Sequence, residues 1–323
     1  MKASNRMWRG TVGAGLLALV FVSAAPAARA APELYDTHVH MFSGDTGKYP
    51  LNTTGSVPEV ARTMAERAKN DPRPPEPMLK LWQENGVTGG VGVQYYSAYK
   101  SDNRFLVDSA DAHPDKLVAE VILDATQPDA PAKLQDLVQH HNVTSLRLTG
   151  NQDKQGGYPW LDSPPAHAVW AKAEQLGVSL VIMYPPGKPT AARHQHIVAL
   201  ARRYPRATII LDHFGWPVFE AAPDFGLTGD AYLPFKPYRN IYFKFSTSNL
   251  DALDAATIPT ADFVRYAVDL YGADRIMWGS GYGGTSNNYP KLVQRVVAAT
   301  AKLTPDEQRR VLHDTGYAIF RRH

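Results

Sequence analysis

The chain has 323 residues, with 34 lysines and arginines against 31 aspartates and glutamates, and no cysteine. Disulfides, thiolate nucleophiles and cysteine-ligated metals are therefore excluded. The first 30 residues hold four of the bases (Lys2, Arg6, Arg9 and Arg29) and none of the acids, which leaves 30 against 31 in the remainder; with no run of five or six like charges, composition gives nucleic-acid binding no support.

Residues 1–30 read as an export signal: Lys2, Arg6 and Arg9 form the positive region, Thr11 to Ser23 the apolar stretch, and Ala28-Arg29-Ala30 the small-x-small cleavage site. The apolar stretch is too short for a membrane span, and the arginines are not paired, so general secretion is expected, with cleavage after Ala30. This predicts a periplasmic or secreted protein of residues 31–323, free of the membrane once cleaved. Its length allows one α/β barrel or two ordinary domains.

The first predicted strand is 34–39, and alternation puts His38 and His40 on one face of its end. Two imidazoles so spaced can share one metal ion or polarise one carbonyl; equally, they can be polar residues that cap a strand. Residues 41–78 break the pattern, being rich in proline and glycine around a helical stretch at 58–69. Further strands are predicted at 89–94, 117–123, 143–148, 178–184, 207–213, 241–246 and 275–280. Most are short apolar runs, as expected of parallel strands covered on both faces. Helical periodicity fills 132–140, 166–176, 194–204, 261–271 and 289–301, and Gly86, Gly177 and Gly272 stand where helices should stop. Eight strand-helix units in this length predict a single (β/α)8 TIM barrel with an irregular insertion after the first strand. A doubly wound sheet is the alternative, but no Gly-x-Gly-x-x-Gly follows the first strand.

In a barrel, the polar residues at the strand ends converge on one mouth: His38, His40, Gln94, Arg147, Tyr184, His213, Lys244, Ser246, Ser280 and Tyr282. Arg147 offers a planar fork for a carboxylate or else a partner for an internal acid, and Lys244 is ambiguous in the same way. His213 is either part of the site or a structural residue bonded to Asp212. Tyrosines 95, 96, 99, 184, 232, 238 and 282 give the mouth an aromatic bias suited to stacking on rings, or to ordinary loop packing. His140-His141 and His194-x-His196 lie in helical stretches and are expected on the surface.

Taken together, Asp36-Thr-His-Val-His40, Asp102-Asn-Arg-Phe-Leu106, Ser145-Leu-Arg147-Leu, Leu211-Asp-His213-Phe-Gly215, Phe243-Lys244-Phe-Ser246 and Asp274-Arg-Ile-Met-Trp-Gly-Ser280 resemble the amidohydrolase superfamily. Within it the chain resembles the amidohydrolase-2 group of pyrone-dicarboxylate lactonases, sugar-acid lactonases and related decarboxylases. The resemblance spans the mature chain and implies a carboxylated small-molecule substrate. It also exposes two departures. Tyr184 stands where such proteins usually carry the histidine of strand five, and Gly281 where they carry an aspartate that serves as metal ligand or base. The implied site therefore has His38, His40 and His213 as catalytic residues and Arg147, Tyr184, Lys244 and Tyr282 against the substrate. Its cofactor is none, or a divalent metal such as zinc weakly held by His38 and His40. A hydrolase of a lactone or related carboxylated molecule is expected; the alternatives are a catalytically silent barrel that binds a small molecule, or a decarboxylase. If a loop carboxylate replaces the missing base, Asp45, Glu76, Asp102 and Asp224 are the candidates.

Overall fold

A computed structural model describes residue 1 and residues 32–185, 187, 191–219, 224–284 and 288–321 of the chain. The leader segment lies outside the described residues. No helix among those described is long and apolar enough to cross a membrane.

All eight predicted strands form, as one parallel sheet in sequential order: β1 (Leu34–Val39), β2 (Val87–Val93), β3 (Leu117–Ile122), β4 (Val143–Thr149), β5 (Ser179–Met183), β6 (Ile209–Leu211), β7 (Ile241–Ser246) and β8 (Ile276–Gly279). A parallel bridge from Val39 to Tyr282 and the hydrogen bond from Gly281 N to the His38 carbonyl join the last strand to the first, so the sheet is a nearly closed TIM barrel. Helices lie between the strands, as the periodicity implied. The segment after β1 holds two of them, Pro58–Asn70 and Pro75–Glu84, each with proline in its first turn, where the missing N–H costs nothing. Gly177 ends its helix with φ 68°, the left-handed cap that glycine adopts without strain.

Alternation along the strands divides the barrel interior into layers. Val118, Val181, Ile210 and Met277 share an apolar floor, closed from below by Phe320 of the C-terminal helix Thr315–Phe320. Two residues further along their strands, on the same face, stand Glu120 and Asp212, and β4 and β7 bring Arg147 and Lys244 to that level. A ring of charge therefore rests on an apolar plug. Water is excluded from beneath it, which is what gives the charges above their leverage.

Candidate active site

Lys244 and Glu120 are both fully buried, and the Lys244 ammonium donates to Glu120 Oε2 at 2.9 Å. Arg147, 5% exposed, donates through Nη2 to Asp212 Oδ2, and its Nε lies 3.8 Å from Glu120 Oε1. Lys244 also sits 4.0 Å from Asp212 Oδ1. Two cations and two anions thus cancel inside the barrel, as buried charge requires. Burial works to raise the Asp212 carboxyl, but His213, Arg147 and Lys244 together hold it well below the usual carboxylate range. Lys244 and the Arg147 fork, both expected against a substrate, are directed at acids of the barrel.

Above this layer lie the three histidines. His38 and His40 face each other with Nε2 atoms 3.1 Å apart, and the His213 ring centroid is 5.3 Å from that of His38. Burial is the largest influence on all three, pushing His38 well below the ordinary imidazole value, His40 to about 3 and His213 to about 4. They are neutral near pH 7. Their neighbours set which nitrogen carries the proton. The His40 Nδ1–H donates to the Val93 carbonyl at 3.0 Å, which leaves Nε2 with its lone pair toward His38 Nε2. Ser246 donates its hydroxyl to Asn249 Oδ1 and therefore accepts from His213 Nδ1–H at 2.6 Å, so His213 Nε2 is also unprotonated. His38 Nδ1 lies 3.3 Å from Asp212 Oδ1 without an aligned hydrogen bond. A proton of His38 or a cation must separate the two facing Nε2 atoms of His38 and His40, since two lone pairs repel.

How His213 reaches this position is unusual. After β6 the backbone runs through four successive left-handed residues: His213 (φ 49°), Phe214 (58°), Gly215 (70°) and Trp216 (61°). For each non-glycine residue that conformation costs about 1–2 kcal/mol. It persists because other side chains grip the turn. Asn249 Nδ2 donates to the His213 carbonyl at 2.8 Å, the Tyr232 hydroxyl to that of Phe214 at 3.0 Å, and Arg193 Nη2 to that of Gly215 at 3.1 Å. Such over-determined strain is what holds a side chain in one aim.

The remaining expected residues fall elsewhere. The Tyr184 hydroxyl donates to the Arg193 carbonyl, and its ring packs with Tyr158, Trp160 and His194 in a buried aromatic cluster; burial raises its phenol. It therefore supports the wall behind Trp216, whose indole donates to the Tyr184 carbonyl. Tyr282 takes the Arg73 guanidinium over its ring at 4.8 Å, and its carbonyl accepts from His40 N–H. Gln94 donates to the carbonyls of Lys100 and Asp102, and Ser280 to that of His38; both order the backbone around the mouth. His140 is on the surface as expected, but His194 is buried, with Nδ1 against the Ala231 carbonyl, because its side of the helix Ala191–Arg203 packs on Tyr232 and Phe235. None of the four loop carboxylates approaches the histidines. Asp45 and Asp224 accept from backbone N–H groups of their own turns, Asp102 pairs with Arg104, and Glu76 lies 3.8 Å from His113. The carboxylate that does approach is Asp212. Its signal was its place two residues after Ile210 on an inward face.

His38, Asp212 and His213 bring ligand atoms within 4.8 Å of one another, and the His38–His40 spacing of 3.1 Å is close to the roughly 3.3 Å edge of a tetrahedral zinc site. The donor set therefore fits a divalent cation. The amidohydrolase family model matches residues 35–322, nearly the whole chain.

The chain belongs to the amidohydrolase family.

Among amidohydrolase relatives, an L-fucono-1,5-lactonase of Burkholderia ambifaria is 28% identical over 215 residues, covering 64% of this chain and 69% of its own. A probable 2-pyrone-4,6-dicarboxylic acid hydrolase from Acinetobacter baumannii, solved with citric acid bound, superposes with a TM-score of 0.64 at 17% identity, covering 89% of this chain and 99% of its own. An amidohydrolase of Burkholderia multivorans with bound zinc gives a TM-score of 0.67 at 16% identity, with 89% and 99% covered. These two likenesses are of fold.

Proposed function

We propose that the protein is an exported hydrolase that opens a lactone, or a related ester, of a small carboxylated molecule. The observation that carries this reading is the set of three neutral imidazoles gathered over one carboxylate, His38 and His213 buried and His40 half-buried, two of them with an unprotonated Nε2 fixed by partners on Nδ1. The lactonase relative supports the choice of ester. In this reading His213 Nε2 takes a proton from water as the oxygen attacks the lactone carbonyl, and the resulting imidazolium returns it to the ring oxygen as the carbon–oxygen bond breaks, giving a hydroxy acid. Asp212, 3.9 Å from His213 Nε2, steadies the transient positive charge.

His38, His40 and His213, with Asp212 behind them, would hold a divalent metal, which when bound polarises a carbonyl and acidifies water. Arg147 and Lys244 beside Asp212 oppose a dication, so we expect weak holding. Elemental analysis after dialysis against a chelator should find well under one zinc per chain. A full equivalent surviving that treatment would overturn the expectation.

Gly281 favours a second reading, a barrel that binds without turnover, because no side chain stands where a base is implied. A panel of sugar-acid and aromatic lactones separates the two. Turnover by the natural protein supports hydrolysis; an inert natural protein and an active Gly281→Asp variant establish the silent barrel. Aspartate is among the residues that tolerate the φ of 66° at this position. Export rests on the leader segment alone, and intact-mass measurement of the exported protein should place its first residue at Ala31; a retained Met1 would remove that part of the proposal.

A further inference from the structure

The insertion after β1 brings Arg67, in the last turn of the helix Pro58–Asn70, to the side of His40. Its Nη1 donates to the Tyr95 hydroxyl at 2.6 Å and to the Gly283 carbonyl at 3.2 Å. Both partners adjoin the histidine. The Tyr95 ring stacks on His40 with centroids 4.8 Å apart, and Gly283 lies so close that a Cβ on it would meet the His40 carbonyl oxygen at 2.2 Å. Arg67 is half-buried, yet among the described residues it has no carboxylate within 4.0 Å.

Among the described residues, the other cations near the mouth are committed. Arg147 and Lys244 are matched to Asp212 and Glu120, Arg73 to Asp71, and Arg104 to Asp102. Lys100 donates to Ser56 Oγ and lies over the ring of Tyr96, an exposed side chain turned to solvent. Among these described cations, Arg67 alone combines a neutral hydrogen-bonded seat, partial desolvation and contact with the tyrosine that covers His40. A guanidinium held this way is oriented before any anion arrives, and its remaining N–H groups keep the geometry that a carboxylate matches in two bonds.

We infer that Arg67 is the specificity-determining anchor for the substrate's carboxylate, while Arg147 is paired with Asp212. The assignment rests on the hydrolase reading above for its substrate class. It places the carboxylate on the insertion side of the mouth, with the scissile ring over His38 and His213.

The matched probes are D-glucaro-1,4-lactone and D-glucono-1,4-lactone, which share a ring and differ in a carboxylate against a hydroxymethyl group. Arg67→Gln should lower kcat/KM for the glucarolactone by about ten- to a hundredfold, mostly through KM, and leave the gluconolactone within about twofold. Arg67→Lys should recover part of the loss, since the charge remains while the fork does not. Equal losses on both lactones would show that Arg67 merely positions Tyr95, and no loss on either would also overturn the assignment. If the natural protein opens neither lactone, calorimetric titration with the same two unopened lactones still decides: preferential binding of the glucarolactone that Arg67→Gln abolishes supports the anchor, whereas equal binding by both proteins, or none by the natural protein, overturns it.

Discussion

His213→Ala should lower kcat/KM for lactone hydrolysis by about a hundredfold to ten-thousandfold, the range that a positioned general base supplies, while circular dichroism of the variant stays that of the natural protein. The fold should survive because the turn carrying His213 is held by its carbonyls, which alanine keeps: Asn249, Tyr232 and Arg193 donate to backbone oxygens and not to the imidazole. The pH profile supplies an independent check. Burial first, then Arg147 and Lys244, depress the His213 imidazole to about 4, against an opposing pull from Asp212. A base works only when unprotonated, so activity should hold as pH falls from 7 and decline only as it approaches about 4, well below the ordinary histidine value of 6.5. Unchanged activity in His213→Ala, or an acidic limb centred near 6.5, would remove His213 from the role of base. Ser246→Ala should give a smaller loss, because the ring then adopts either tautomer.

The largest effect on stability is expected at the opposite face of the same layer. Lys244→Met removes one charge of the buried tetrad and leaves Glu120 facing an apolar side chain, a change that costs about 3–5 kcal/mol in comparable buried pairs. Chemical denaturation at pH 7 reads this as a lowered midpoint. Burial raises the Glu120 carboxyl even in the intact protein, with Lys244 the main counterweight, so loss of the lysine should raise it further. A group whose folded pKa lies above its unfolded value is most destabilising when the unfolded chain is ionised, so the deficit should shrink as pH falls toward the unfolded carboxylate value and grow above it. Adding Glu120→Leu to Lys244→Met removes both members of the pair and should recover most of the lost stability. If Lys244→Met melts with the natural protein at pH 7, the tetrad is not what balances this layer.

Much of this was legible in the chain. The eight strands were readable because parallel strands covered on both faces are short apolar runs, and the facing of His38 and His40 followed from strand alternation alone. What remained hidden depended on partners distant in sequence. Glu120 sits inside the run Leu117-Val-Ala-Glu-Val-Ile122, where a lone acid signals a buried partner without naming it; the partner is 124 positions away at Lys244. The Arg147 guanidinium carried two readings, and only the arrival of Asp212 just after β6 shows it paired with an internal acid. His194 and His196 are two apart on one helix and so point to different sides, of which one happens to be covered by Tyr232 and Phe235. The left-handed turn had no signature at all, since Phe214 and Trp216 are residues that rarely adopt it.

That turn bears on the order in which the molecule is assembled. Its three clamps come from the helix after β5, the loop after β6 and the helix after β7, so His213 cannot be aimed until chain on both sides of it has already folded into place. Strands and helices can form from local pattern and sheet pairing before the clamps close. On refolding, the return of activity is then expected to trail the return of secondary structure, which time-resolved circular dichroism alongside activity would show.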